Sequence, residues 1–279
     1  TEPTVQFEHY SPLQHALNGV VGATHYLGLP LTNLEADNMM ASARRSTGLS
    51  DFGDEGFLVR LNRALEIMED APMSAFGRAM MRQTLLKGLE NRLQLQDYLH
   101  RHPEVFDIPF ERPVFVLGFP RTGTTVLQHL LCLDQDRRGL EVWELVNPVP
   151  VSGDRQVDEA SRKTTAKRML QLAYFMAPEM GQVHYIAHDT LEECWPLFFN
   201  SFAALNMDLQ SGRRELGDYL CDIDMTEPYR EYKTWLQVML HRQGADHLVL
   251  KCPEHLWFVD SLLKVFPDAH IVHTHRDPV

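Results

Sequence analysis

The chain is short of positive charge. It carries 26 Lys and Arg against 38 Asp and Glu, a formal net charge of -12. General binding to nucleic acid needs a broad basic footprint, so that class of partner is excluded. A local cluster of Arg and backbone N–H groups could still hold a small anion. There are only four cysteines, Cys132, Cys194, Cys221 and Cys252, and no CxxC pair. Neither a zinc ribbon nor a dithiol redox motif is indicated, and scattered thiols suit a reducing compartment such as the cytoplasm. No apolar run approaches the ~18–20 residues of a membrane span. No signal-peptide pattern is present; the chain begins at Thr1 rather than Met, so an earlier removed leader stays open. Internal repeats and low-complexity tracts are absent too.

What is present is an ordinary globular balance. The 279 residues are 44% hydrophobic and 23% charged, enough for a large core. Residues 1–112 read as a helical N-terminal region packed on the rest. From Phe57 to His100, Leu and Met recur at helical spacing with few β-branched residues. Residues 113–279 read as an α/β core. Pro113–Leu117 is a short apolar run ending in glycine, which fits a buried parallel strand, and Gly123–Leu131 then reads as a helix. After a mostly helical stretch, His247–Lys251 reads as strand, Pro253–Val265 as helix and Ala269–Thr274 as strand. Such alternation predicts a parallel sheet flanked by helices. The fold class is therefore α/β, a P-loop-type sheet with large helical insertions, one domain overall. Asp277-Pro278 reads as a helix start that has no helix behind it, so a longer native chain is expected.

One thing is missing where it would matter most. "FVLGFPRTGTT", Phe115–Thr125, has two glycines five apart after a strand and before a helix. A P-loop would place lysine after the second glycine, but Thr124 stands there, and Arg121 lies inside the loop. The glycine spacing alone is weak, since roughly one such pair is expected by chance. Gly48–Gly53 repeats it, but Asp54 and Glu55 follow and no strand precedes, so that copy reads as a turn. At Gly118 the context is right for an anion: the N–H groups of a helix start, close backbone approach and hydroxyls at Thr122, Thr124 and Thr125. Without the lysine and without a firm Mg²⁺ ligand other than Asp277, a sulfuryl group fits better than a nucleoside triphosphate.

Pro120–Thr125 resembles the 5′-phosphosulfate loop of sulfotransferases that use 3′-phosphoadenosine 5′-phosphosulfate (PAPS). Ile271–Pro278 resembles the family's 3′-phosphate-binding strand and turn. Between them, Leu250-Lys-Cys-Pro-Glu-His255 resembles the strand end that carries its catalytic histidine. The resemblance is sharp over 113–131 and 248–279 and diffuse over the helical N-terminal half. It implies transfer of a sulfuryl group from PAPS to a hydroxyl or amine of a small-molecule acceptor, with PAP as product and no metal. Many members have Lys where Arg121 stands and Trp where Val126 stands, which leaves the adenine-stacking residue unassigned.

On that resemblance Arg121, Thr122, Gly123, Thr124, Thr125 and Arg276 bind cofactor, and Arg121 also stabilises the leaving phosphate. His255 is the first choice of general base, in the first helical turn past a strand. Lys251 is a candidate to assist the sulfuryl group. In "HDTLEECW", Thr190–Glu193 matches a capping box, which gives Glu193 a structural reading and leaves Glu192 as the rival base. Phe, Met and Leu in the inserted helices hint at an apolar or lipid-like acceptor. Trp195–Phe199 with Phe202 reads as core. His273 and His275, a pair without a third ligand, read as no metal site. Two other readings stand beside this one: a Mg²⁺-dependent P-loop kinase of small molecules, and a non-catalytic nucleotide-binding scaffold.

Overall fold

Among the described residues, four α-helices form the first part of the chain: α1 (Pro12–Tyr26), α2 (Ala36–Thr47), α3 (Phe57–Met68) and α4 (Ala75–Arg101). The structure is a computed structural model that describes residues 11–27, 30–178, 181, 185–241 and 247–277. Helix α4 starts where the Ser74 hydroxyl accepts the Gly77 N–H at 3.1 Å, satisfying a donor that has no intrahelical partner. Its buried Met81, Leu85, Leu89 and Leu93 recur every four residues and form one stripe. The second glycine pair is what the acidic flank suggests: Gly48 closes α2 as a left-handed C-cap, and Asp51 holds Gly53 in a turn.

The rest is a parallel sheet with helical insertions. In chain order the elements are β1 (Val114–Leu117), α5 (Thr124–Leu131), β2 (Arg137–Arg138), α6 (Val142–Val146), α7 (Arg155–Met176), α8 (Pro196–Phe199), α9 (Asn206–Ser211), α10 (Arg214–Asp222), α11 (Thr226–Leu240), β3 (His247–Lys251), α12 (Val259–Val265) and β4 (His270–His273). The strands lie in the order β2-β3-β1-β4. Val116 pairs with Lys251 and with Val272, and Leu117 with His273. The carboxyl ends of β1, β3 and β4 therefore finish side by side.

Strand alternation divides the sheet into two faces. Val114, Val116 and Val249 pack under α5 through Leu127 and Leu131. Phe115, Leu117 and Leu250 face the larger core, which runs unbroken from Leu34 and Leu99 to Tyr232 and Phe266. Trp195 to Phe202 joins that core, with Leu197, Phe198, Phe199 and Phe202 all buried.

Two local readings are corrected. The segment Pro253–Val265 is not one helix: a 3₁₀ turn, Pro253–Trp257, leads into α12, with the break at Phe258. The tighter turn lets His255 and Phe258 both point into the core. Thr190–Glu193 is not a capping box. The Thr190 hydroxyl bonds back to Ala187, and Leu191 bridges Glu141 in an antiparallel pair. The capping box in this region belongs to Glu141 and Glu144, at the start of α6. Of the reading at Asp277-Pro278, Pro278 lies outside the described residues.

Charge joins the N-terminal helices to the core. Glu231 on α11 receives Arg60 of α3 at 2.8 Å, Arg92 of α4 and the Ser201 hydroxyl at 2.7 Å. Both arginines are buried. Removing the carboxylate would leave two desolvated cations facing each other. Glu231→Ala is expected to cost about 3–5 kcal/mol, read as a fall in the midpoint of urea unfolding.

Candidate active site

The loop after β1 is held by contacts that only these residues permit. A Cβ at Gly118 would lie 2.2 Å from the Thr274 hydroxyl and 2.7 Å from that of Thr122, so no side chain fits. The Thr122 hydroxyl sits 2.7 Å from both the Phe119 carbonyl and the Thr274 hydroxyl, and the Thr274 N–H donates to the Leu117 carbonyl. Thr122 thus ties the loop to the end of β4. Arg121 is in the left-handed region, with φ 72°, a conformation costing about 1–3 kcal/mol for a side-chain-bearing residue. Gly123, φ 93°, is the N-cap of α5. The N–H groups of Thr124, Thr125 and Val126 have no carbonyl a turn behind them and face the loop. Thr124 is buried and Thr125 exposed.

The cation that the loop lacks arrives from the neighbouring strand. Lys251 ends β3 and is 1% exposed. Its ammonium donates to Thr125 Oγ1 at 3.4 Å and to Glu193 Oε1 at 3.0 Å, with Glu192 Oε1 at 3.9 Å. A buried ammonium without partners would be prohibitively costly, so the carboxylates are part of the site. They reach it because Thr190–Cys194 runs extended. The Thr190 and His188 carbonyls accept from Val142 and Trp143, Glu192 N–H donates to Leu140, and Cys194 N–H donates to the Lys251 carbonyl. Glu192 also receives the Glu193 N–H at 2.8 Å, and Glu193 is the more open of the two. Glu193 was hidden by its match to a helix cap. The signal that could have found it is Pro196, which already argued against an unbroken helix there.

Arg276 follows β4 and is exposed, its Nη1 3.5 Å from the Arg121 carbonyl. Arg121, Lys251 and Arg276 therefore gather at one end of the sheet in an acidic chain. Phe119 and Trp257, both exposed, meet edge to face beside the loop at 5.9 Å.

His255 is a different matter. It is 0% exposed. Its Nδ1 lies 2.6 Å from the Tyr229 hydroxyl and its Nε2 3.2 Å from the Cys194 thiol. Phe115 and Phe198 pack on it edge to face. It is neither solvated nor open to an acceptor in this arrangement. Next to it, Glu254 accepts the Leu205 and Asn206 N–H groups, while burial pushes its carboxyl up to about 8.

A family model described as "Sulfotransferase family" matches residues 113–279. The chain belongs to the sulfotransferase family. The match takes in the loop, Lys251, His255 and Arg276 together. Among solved sulfotransferases, STF1 from Mycobacterium tuberculosis superposes with a TM-score of 0.78 and 31% identity, over 87% of this chain and 67% of that one. STF9 from Mycobacterium avium gives 0.76 and 33%, over 87% and 63%. Among curated proteins, the omega-hydroxy-beta-dihydromenaquinone-9 sulfotransferase Stf3 of Mycobacterium bovis is 25% identical over 176 residues, 60% of this chain, and so is its Mycobacterium tuberculosis counterpart. This sulfotransferase-family chain spans 42% of the length of those curated relatives. Among the described residues no helix is long and apolar enough to cross a membrane.

Substituting His255 distinguishes a core histidine from a base. His255→Ala is expected to lower the unfolding free energy by about 2–4 kcal/mol, since it leaves a cavity and strips Tyr229 and Cys194 of a partner. A wild-type melting temperature with lost sulfuryl transfer would instead make His255 the base.

Proposed function

We propose that this chain binds PAPS and transfers its sulfuryl group to a hydroxyl of an apolar small molecule. The observation that carries the proposal is Lys251, whose ammonium touches Thr125 of the loop from the end of β3. A triphosphate loop has its lysine in the loop itself and a magnesium beside it. Here the cation comes from the side, and the nearest carboxylates are already paired with it.

The residues fit a phosphosulfate. The loop contains no carboxylate, Gly118 leaves no room for a side chain, and the start of α5 supplies N–H groups with the hydroxyls of Thr124 and Thr125 beside them. PAPS supplies the activated sulfuryl group. The N–H groups of α5 and the two threonines hold its 5′-phosphate. Arg121 and Lys251 stabilise the negative charge that grows on the leaving phosphate as the S–O bond lengthens. Arg276 takes the 3′-phosphate, and the exposed rings of Phe119 and Trp257 give the adenine an aromatic wall. Thr122, with its hydroxyl held by Phe119 and Thr274, shapes the loop and contributes its backbone.

For the base we assign Glu193. Its carboxylate is the more open of the pair and sits beside Lys251, within reach of the loop that Lys251 touches. Glu192, anchored to the Glu193 N–H, positions it. His255 stabilises the 3₁₀ turn that follows Lys251. The apolar acceptor is supported by exposed Val126 and Leu130 on α5 and by the hydroxylated menaquinone derivative named for Stf3.

Thermal shift with PAP, compared with ATP plus Mg²⁺, tests the donor. PAP at a hundredfold excess over its Kd should stabilise by about 2.7 kcal/mol. A shift with ATP–Mg²⁺ alone would overturn the assignment in favour of a kinase, and PAP binding without turnover of labelled PAPS across an acceptor screen would favour a scaffold. Within a transferase, Glu193→Gln should lower kcat by about 10²–10⁴ with PAP binding kept. Full activity in that variant would pass the base to Glu192.

A further inference from the structure

A second cluster of chemically active side chains lies away from the loop. His102 is the C-cap of α4, Glu104 lies in the 3₁₀ turn Pro103–Asp107, and His241 is the C-cap of α11. Their ligand atoms all lie within 4.8 Å of one another. His102 Nδ1 is 3.1 Å, and His241 Nε2 3.3 Å, from the same oxygen, Oε1 of Glu104.

We propose that His102, Glu104 and His241 bind one divalent transition-metal ion, with Zn²⁺ the best match. Zinc bonds to nitrogen and carboxylate oxygen are about 2.0–2.2 Å, so neighbouring donors on a tetrahedron stand about 3.3–3.5 Å apart. The two distances to Glu104 are close to that without any rearrangement. Two histidines and one glutamate leave a coordination position free. His102 and His241 also line a cavity of about 210 Å³, together with Arg101, Pro150 and Ser152.

Three further observations support an ion over a simple pair of contacts. The Tyr98 hydroxyl, on a buried ring, lies 2.9 Å from His241 Nδ1. When Nδ1–H donates to that phenol oxygen, Nε2 carries the lone pair, the arrangement that outer-shell partners give to metal-bound histidines. The rings are also packed together: Tyr98 and His102 lie 4.5 Å apart at a tilt of 38°, and His102 lies 5.2 Å from His241. Finally, α4 and α11 both end here. Two helix C-termini direct their partial negative charge at the site, which favours a cation. Mg²⁺ is disfavoured, since it prefers oxygen ligands and near-octahedral geometry.

The ion would not take part in sulfuryl transfer. His102 and His241 precede β1 and β3 in the chain, whereas the loop and Lys251 lie at the strands' carboxyl ends. Its effect is to tie the end of α4 to the end of α11, where Gln237 already reaches the Ile108 carbonyl at 3.2 Å.

The test begins with chelator-treated protein titrated with Co²⁺, then Zn²⁺. The expected result is a saturable one-to-one visible absorption of tetrahedral Co²⁺, displaced by Zn²⁺, and a rise in melting temperature with Zn²⁺ but not Mg²⁺. Tyr98→Phe should weaken Zn²⁺ about ten- to a hundredfold. The double variant His102→Ala/His241→Ala should lose the band, and Glu104→Gln, at an exposed side chain, guards against a fold defect in that variant. The PAP-induced shift should persist in all of them, which separates failure here from failure of the transferase reading. No tetrahedral band in the wild-type protein, or a band unchanged in both the double variant and Glu104→Gln, would overturn the proposal.

Discussion

The active end of this molecule depends on a buried ammonium. Lys251 is 1% exposed, and a charge so placed must be compensated within a few ångströms. The compensation determines the local structure. Glu192 and Glu193 have to arrive at the end of β3, so the chain before α8 runs extended and is stitched to Leu140–Trp143 on one side and to the Lys251 carbonyl on the other. The same ammonium touches Thr125, so the loop, the strand end and the acidic segment are one electrostatic unit. An anion placed at Thr125 would compete with these carboxylates for the Lys251 ammonium.

A second compensated charge holds the scaffold behind it. Arg60 and Arg92 bring α3 and α4 to Glu231 on α11, and α11 also supplies Tyr229, the partner of His255. His255 in turn packs on Phe115 of β1. A path of packed and hydrogen-bonded groups thus runs from the N-terminal helices to the strand that launches the loop.

The parts of the fold that local chemistry dictates were legible. A four-residue apolar run before a glycine loop is β1, and His247–Lys251 is β3 at both ends, because each is buried on both faces and bounded by breakers. Lys251 could be named, but not its place: that its ammonium reaches Thr125 follows from β1 and β3 being neighbours, a long-range pairing without a local signal. Glu193 was masked for the opposite reason. Thr190–Glu193 has the letters of a helix cap, and an antiparallel bridge to Glu141 overrode them. His255 was found by its motif, while its burial was not readable, because a 3₁₀ turn and an α-helix of the same letters aim the third side chain differently.

Charge is separated along the sheet. The net charge of -12 repels anions at long range, yet Arg121, Lys251 and Arg276 meet at the carboxyl ends of the strands, where three elements finish in register. At short distance a few clustered cations, one of them buried, outweigh a diffuse surface charge. On the side where α4 and α11 end, helix C-termini, Glu104 and two imidazoles make the opposite environment, one suited to a cation. A parallel sheet produces this polarity by construction, since all its strands point the same way and the helices beside them run the other. The helix that follows β1 presents its N–H groups at the loop, and the helices that precede β1 and β3 end with their carbonyls near His102 and His241. The two ends therefore differ in charge, and the side chains placed at each end reinforce the difference.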